Sequence, residues 1–275
     1  MNDLAIAQHA ARRGAAVLLR YWETLSKDDA DLKARNDWVS AADRESEQAI
    51  VDAIREHRPD DAFLGEESGM TEGAAANRVW IIDPLDGTSN YLQHFPFWCV
   101  SIALRENGVT TTAVIYEPLR DIFFTATRGG GAFRDGEPMH ISNHEQVEGS
   151  FLATGFPFRA QEYVERYVAI FTDVIRVSKG VRRAGSAALD LAYTAAGVFD
   201  GFFEMHLAAW DVAAGALLVT EAGGVVTDFS GGQRWLERGN IVGAAPKVHA
   251  ELMTIIERHV SEEDLDHRKG PRLGV

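Results

Sequence analysis

The eleven residues from Trp80 to Asn90, Trp-Ile-Ile-Asp-Pro-Leu-Asp-Gly-Thr-Ser-Asn, constrain this chain more than any other stretch. Trp80, Ile81 and Ile82 form a short apolar run with β-branched residues, the pattern of a buried strand. Pro84 is expected to end it, because proline cannot donate to a sheet ladder. Asp83 and Asp86 stand at the exit. Two carboxylates this close repel unless a cation lies between them. Hard oxygen donors favour Mg²⁺, Mn²⁺ or Ca²⁺ over Zn²⁺. Gly87 lets backbone approach a ligand closely, and Thr88, Ser89 and Asn90 are helix-opening residues. A helix start presents N–H groups and suits an anion such as phosphate. Asp-Pro and Asp-Gly also serve plain turns. Taken alone, the stretch leaves two readings open: an ordinary strand-turn-helix corner, or a metal site beside a phosphate cradle.

The 275 residues suffice for one large domain or two smaller ones with real cores. The formal net charge of −14 argues against nucleic acid as a main electrostatic partner, since phosphate backbones need Lys and Arg. Cys99 is the single cysteine, so no intrachain disulfide forms. Its setting, Phe97-Trp98-Cys99-Val100, reads as a core strand rather than a nucleophile. The first residues lack a positive n-region, and no window approaches a membrane-spanning length. A cytoplasmic protein with no membrane association is expected.

Residues 4–25 read as a helix, 27–37 as a polar loop, and Trp38 onward as a second helix ending near His57. Ala62-Phe63-Leu64 is a short strand running into Gly65-Glu66-Glu67-Ser68, followed by a loop to Trp80. Strand-like runs at 98–104, 110–116, 122–126 and 131–134 are separated by turn signals, which predicts antiparallel sheet. The polar stretch 140–150 marks a boundary. Beyond it, strands at 150–155, 199–205, 225–227 and 241–243 alternate with helices at 161–177, 187–196, 210–222 and 247–260, a layered α/β pattern. The expected division is 1–145, a metal- and phosphate-binding half; 146–260, a substrate half; and 261–275, a charged, mobile tail.

Glu66, Glu67, Asp43 and Asp211 join the two aspartates at predicted element ends, where active sites of layered α/β folds collect. Asp43 and Asp211 also suit helix N-caps. His140 and His206 have no ligand-like spacing. His94, Phe95, Pro96, Phe97 and Trp98 are expected in packing, and Arg182 and Arg183 at the surface or a dimer interface.

Gly65-Glu66-Glu67-Ser68, the Trp80–Asn90 stretch, and Trp210-Asp211-Val212-Ala213-Ala214-Gly215 leading to Glu221-Ala222-Gly223-Gly224 resemble, in kind and order, the inositol monophosphatase family. These are Mg²⁺-dependent, lithium-sensitive phosphatases whose superfamily includes the fructose-1,6-bisphosphatases. The resemblance covers about residues 4–258. It implies an α+β fold of alternating αβαβα layers, with a mixed, largely antiparallel N-terminal sheet and a smaller α/β C-terminal half. It implies that Glu66, Asp83 and the Leu85 carbonyl hold a first Mg²⁺, and Asp83, Asp86 and Asp211 a second. Glu66 and Thr88 then orient and deprotonate the attacking water, with Asp43 polarising the Thr88 hydroxyl. The Gly87 and Thr88 amides hold the phosphate. Gly185, Ser186, Ala187 and Glu204 meet the alcohol, with Asp86 and Asp211 as further substrate contacts.

This chain departs from the family at Trp38 and Ser40, where Leu or Pro and Thr are usual, and Lys33 has no secure counterpart. A third Mg²⁺ therefore stays open. The implied reaction is hydrolysis of a phosphate monoester, first inositol 1-phosphate or 4-phosphate. Histidinol phosphate, fructose 1,6-bisphosphate and 3′-phosphonucleotides are alternative substrates. Some bacterial relatives also bind within the transcription machinery, which makes a protein-binding regulator the alternative of another class. The family's usual state implies a homodimer.

Overall fold

The computed structural model describes residues 1–24, 32–71, 73, 75–158 and 160–261. The expected tail from 262 onward lies outside the described residues. Two helices come first, α1 (Asp3–Thr24) and α2 (Leu32–Arg55). An eight-stranded sheet follows, built from β1 (Asp61–Gly65), β2 (Gly69–Thr71), β3 (Ala75–Asp86), β4 (Cys99–Glu106), β5 (Val109–Glu117), β6 (Ile122–Thr127), β7 (Gly131–Arg134) and β8 (Glu137–Pro138). A short helix, α3 (Thr88–Leu92), sits between β3 and β4. The strand order is β2-β1-β3-β4-β5-β6-β7-β8. Only the β1–β3 pair is parallel, so the sheet is mixed and largely antiparallel.

The remaining chain supplies β9 (Phe151–Thr154), α4 (Val164–Val177), β10 (Gly180–Arg182), α5 (Ala187–Ala195), β11 (Gly201–Met205), α6 (Ala209–Glu221), β12 (Val225–Thr227), α7 (Trp235–Arg238), β13 (Asn240–Ala244) and α8 (Pro246–Ile256). Its five strands form a second sheet in the order β10-β9-β11-β13-β12. β9 pairs in parallel with β10 and β11, and the other two pairings are antiparallel.

Alternation along the strands explains the layering. On β3, Trp80 and Ile82 face α1 and α2, while Ile81 faces the opposite core with α5 and α6. On β4, Val100, Ile102 and Leu104 join the first core, and Cys99 and Ala103 the second. On β11, Phe202 points to the α5–α6 side and Phe203 to a third core with α4 and α8. A period of two on a sheet buried on both faces requires helices on both sides. The result is helices, sheet, helices, sheet, helices: the α+β arrangement of alternating layers. α5 and α6 form the middle layer and pack against both sheets.

The structure corrects several readings. α2 begins at Leu32, inside the stretch expected to be a polar loop. β2, the first residues of β3, and β10 lie where loops were expected, and α7 was not anticipated. α8 ends at Ile256, short of Val260. Pro84 does not end its strand. β3 continues to Asp86 through a bulge, with Asp83 opposite Ser101 and Asp86 opposite Cys99. Proline is tolerated there because a bulged residue owes no ladder hydrogen bond. In a regular strand, residues three apart face opposite sides. The extra residue in the bulge turns Asp83 and Asp86 to the same side.

Candidate metal and phosphate site

Three segments meet at a cavity of about 290 Å³: the turn after β1, the bulge of β3 with α3, and the starts of α5 and α6. Asp83, Asp86 and Asp211 each offer a carboxylate oxygen, and these atoms lie within 4.8 Å of one another. Asp83 is 1% exposed and Asp86 8%. Each carboxylate is held by a neighbour. The Leu85 N–H donates to Asp83 Oδ1 at 2.9 Å. The Ser186 hydroxyl and the Ala188 N–H donate to Asp86 Oδ2 at 2.6 and 2.7 Å. The Ala208 N–H donates to Asp211 Oδ2 at 2.7 Å. Such outer contacts fix the orientation of metal-binding oxygens.

Asp211 is therefore the third residue of α6 rather than its N-cap, and Asp43 lies inside α2. Glu66 follows β1, and its N–H donates to the Ile82 carbonyl at 3.2 Å, which sets it beside β3. Its carboxyl shares a hydrogen bond with Asp83.

Burial and crowding leave these acids reluctant to ionise. Burial, then the charges of Glu66 and Asp86, hold Asp83 well above the usual carboxylate range. Burial, then Asp211, pushes Asp86 up to about 7, against the pull of the Ser186 and Ala188 hydrogen bonds. Burial, then Asp211, raises Glu66 to about 7. Burial, then Glu66 and Glu67, raises Asp43 to about 8. A divalent cation would relieve this repulsion. Clustered hard oxygens of this kind fit Mg²⁺.

The predicted catalytic residues are brought near one another with one difference. Thr88 opens α3, and its hydroxyl donates to the Leu85 carbonyl at 3.1 Å. Asp43, expected to polarise that hydroxyl, has a buried Oδ1 with no hydrogen-bond partner among the described residues. Gly87 precedes α3 with φ of +97°, and a Cβ there would lie 3.0 Å from the Phe97 carbonyl oxygen. Only glycine suits that position.

On the alcohol side, Gly185 has φ of +95° and packs against Arg183 and Asn90. The Asn90 amide donates to the Phe97 and Ala184 carbonyls at 2.7 and 2.9 Å, tying α3 to the loop before α5. Ser186 caps α5 and donates its hydroxyl to Asp86, and it is not among the residues that line the cavity. Ala187 lines the cavity. Glu204, on β11, also lines it, and its carboxyl lies against Gly155, where a Cβ would collide with it.

Sequence reading missed Glu47. It follows Asp43 by four residues, on the same face of α2. Its carboxylate accepts the Glu67 and Ser68 N–H groups, each at 2.9 Å, and so sets the turn that carries Glu66. The i, i+4 spacing was the available signal. Asp190, His206 and Arg183 also line the cavity. Arg183 was expected at the surface or a dimer interface. It is exposed, with its guanidinium 5.1 Å from the Phe158 ring centroid at the cavity mouth. Trp98 is buried and packs with Trp22 and Tyr91, away from the site. Burial pushes the Cys99 thiol up, as befits a core residue.

Five alternating layers with an acidic cluster beside a glycine-led helix start define the class of inositol monophosphatase and fructose-1,6-bisphosphatase folds. The profile of the inositol monophosphatase family matches residues 2–261, and the chain belongs to that family. Nus factor SuhB of Escherichia coli strain K12 is 44% identical over 259 residues, which cover 94% of this chain and 97% of that protein. The extragenic suppressor protein suhB of Bartonella henselae has a solved structure with 38% identity and a TM-score of 0.83, covering 92% of this chain and 98% of that one. The inositol monophosphatase of Anabaena gives 37% identity and a TM-score of 0.84, with coverage of 94% and 97%. Similarity to proteins named as Nus factors leaves the expected exclusion of nucleic acid without support. Among the described residues, no helix is long and apolar enough to cross a membrane.

Proposed function

We propose that this chain hydrolyses a phosphate monoester of a polyol, with inositol 1-phosphate or 4-phosphate as the first choice, in the presence of Mg²⁺. The observation that carries this reading is the cluster of buried Asp83 and Asp86 with half-buried Asp211, in one cavity with Glu204. Glu66, Asp83 and the Leu85 carbonyl are assigned to one Mg²⁺, and Asp83, Asp86 and Asp211 to a second, with a third left open. Bound there, Mg²⁺ would acidify a water and neutralise charge on the phosphoryl oxygens.

The chain's own groups do the rest. Thr88 donates its hydroxyl hydrogen bond to the Leu85 carbonyl, which leaves its oxygen lone pairs to orient the attacking water. Glu66, on the turn beside the assigned metal positions, is the group placed to take that water's proton. Asp43 acts behind them as a positioning acid. The Gly87 and Thr88 amides orient the phosphate. Gly185, Ala187 and Glu204 receive the alcohol, Ser186 acts through Asp86, and Asp86 and Asp211 contact the substrate as well as metal. In this reading residues 1–145 carry the metal and phosphate side and 146–260 the alcohol side. The working protein is a lithium-sensitive cytoplasmic homodimer with no membrane partner and no nucleic acid in its catalytic role.

Phosphate release from inositol 1-phosphate, histidinol phosphate, fructose 1,6-bisphosphate and adenosine 3′,5′-bisphosphate, with Mg²⁺ and with chelator, tests this. Mg²⁺-dependent preference for the inositol ester is expected. Preference for another ester keeps the chemistry and replaces the substrate. No release from any sinks the reading.

A second reading is favoured by the 44% identity to Nus factor SuhB. In it, the chain is a protein-binding regulator of the transcription machinery. A metal-site variant, Asp83→Asn, that still restored the phenotype of a strain lacking the gene would support it. Loss of both turnover and phenotype would count against it.

A further inference from the structure

The geometry points to Asp190 as a specificity-determining residue that accepts a hydrogen bond from an alcohol hydroxyl lying between the phosphate end and Glu204. Asp190 is the fourth residue of α5 and is 1% exposed. It lines the same cavity as Asp86 and Glu204. Its Oδ1 is buried with no hydrogen-bond partner among the described residues. The nearby charges it feels are Glu204 and Asp86, which repel it, and Arg183, which attracts it without forming an ion pair.

Other buried acids show how unusual this is. Glu47 accepts two backbone N–H groups. Asp61 meets Arg78 and the Trp80 indole. Glu117 meets Arg120 and the Tyr193 hydroxyl. Asp228 accepts from Ser230 and Gly232. Among the buried carboxyls of the described residues, only Asp43 and Asp190 have a fully buried oxygen left without a partner. Asp43 sits against Glu66 and Glu67 on the metal side. Asp190 sits between Asp86 and Glu204, in the cavity that both line.

A buried carboxyl without a donor destabilises the fold. The flanking Leu189 and Leu191 are fully buried, so an apolar side chain would suit the helix itself. What distinguishes position 190 is the cavity. A polyol hydroxyl arriving there would supply the missing donor. An ester without hydroxyls would leave the carboxyl unsatisfied, and sites built this way discriminate strongly against such analogues. The cavity would thus read the alcohol with two acids, Glu204 at one end and Asp190 in its floor.

This inference rests on the phosphatase reading, and the experiment separates the two. Steady-state kinetics would compare inositol 1-phosphate with 4-nitrophenyl phosphate for the full chain, Asp190→Ala and Asp190→Asn. The expected result is that the ratio of kcat/KM for the inositol ester to that for the aryl ester falls about tenfold in Asp190→Ala, the upper end of the worth of one hydrogen bond. Asp190→Asn, which keeps one acceptor oxygen, should lose less. The same factor for both esters, or no change, overturns the inference while the phosphatase reading stands.

If Asp190→Ala does not fold, the Asn variant carries the ratio test, and an unchanged ratio overturns the proposal. If the parent hydrolyses neither ester, the phosphatase reading fails. Calorimetric binding of myo-inositol then decides: binding weakened in Asp190→Asn supports the assignment, and equal or absent binding ends it.

Discussion

Asp83 is the residue on which the others converge. It is almost fully buried, it shares a hydrogen bond with Glu66, and it lies in the tight group with Asp86 and Asp211. It is the one carboxylate assigned to both proposed metal positions. Asp83→Asn keeps the shape and one oxygen to accept the Leu85 N–H, so the fold should persist. It removes the charge that two dications would share. Changes one shell further from a metal cost about 10–100-fold in affinity or activity. Turnover in the variant should therefore fall by at least about a hundredfold. Circular dichroism checks the fold and a phosphate-release assay checks the loss. Retained Mg²⁺-dependent turnover would remove Asp83 from the bridging position. On the alcohol wall, Glu204→Ala should lower the preference for inositol 1-phosphate over 4-nitrophenyl phosphate. A ratio unchanged from the parent would mean that Glu204 does not read the alcohol.

At the scale of elements, the turn after β1 depends on an exact fit between Gly65 and Glu47. A Cβ on Gly65 would run into the Glu47 carboxylate, which holds the Glu67 and Ser68 amides. Gly65→Ala should push Glu47 aside and leave buried groups unpaired, at about 1–3 kcal/mol each. A lowered Tm and weaker Mg²⁺ binding by calorimetry are expected together, because the turn carries Glu66. Unchanged Mg²⁺ affinity would show that Glu66 is placed without Glu47. This coupling was invisible in the sequence, where Gly65 stood only as the residue that follows a short strand. Asp83 and Asp86 stood out because two carboxylates that close invite a cation, whereas Glu66 and Asp211 joined them as metal ligands only through the family resemblance. Glu47 and Asp190 did not stand out, since each takes its meaning from what tertiary packing sets against it. Among elements, β3 and β4 announced themselves as apolar runs bounded by turn signals. β2 and β10 are three residues each and exist by pairing with longer neighbours, so no local pattern marks them. The start of α2 lay in charged residues with no apolar period. Pro84 misled because a rule about regular ladders met a bulge.

At the scale of the whole molecule, the acidic cluster stores repulsion that the fold tolerates only while protons or a cation offset it. The cluster and its acidic neighbours join α2, the turn after β1, β3 and α6, so their electrostatics bear on the stability of the whole. Without metal, Glu66 and Asp86 titrate at about 7 and Asp43 at about 8, against ordinary values of 4.5, 3.8 and 3.8. The folded protein therefore binds more protons than the unfolded chain between those limits. Stability changes with pH in proportion to protons bound unfolded minus protons bound folded, which is negative here. The stabilising protons are fully present below the ordinary values and are lost as pH rises through the raised ones. Metal-free Tm should fall as pH rises from about 5 to about 8. Mg²⁺ takes the deprotonated set, so its stabilisation should be smallest at the acid end and largest at the alkaline end. At roughly a hundredfold excess over its dissociation constant the gain should reach about 2.7 kcal/mol. Thermal melts with chelator and with Mg²⁺ across this range give both curves. A metal-free Tm that rises through neutrality, or a Mg²⁺ gain that ignores pH, would mean that these carboxylates are not the groups the cation neutralises.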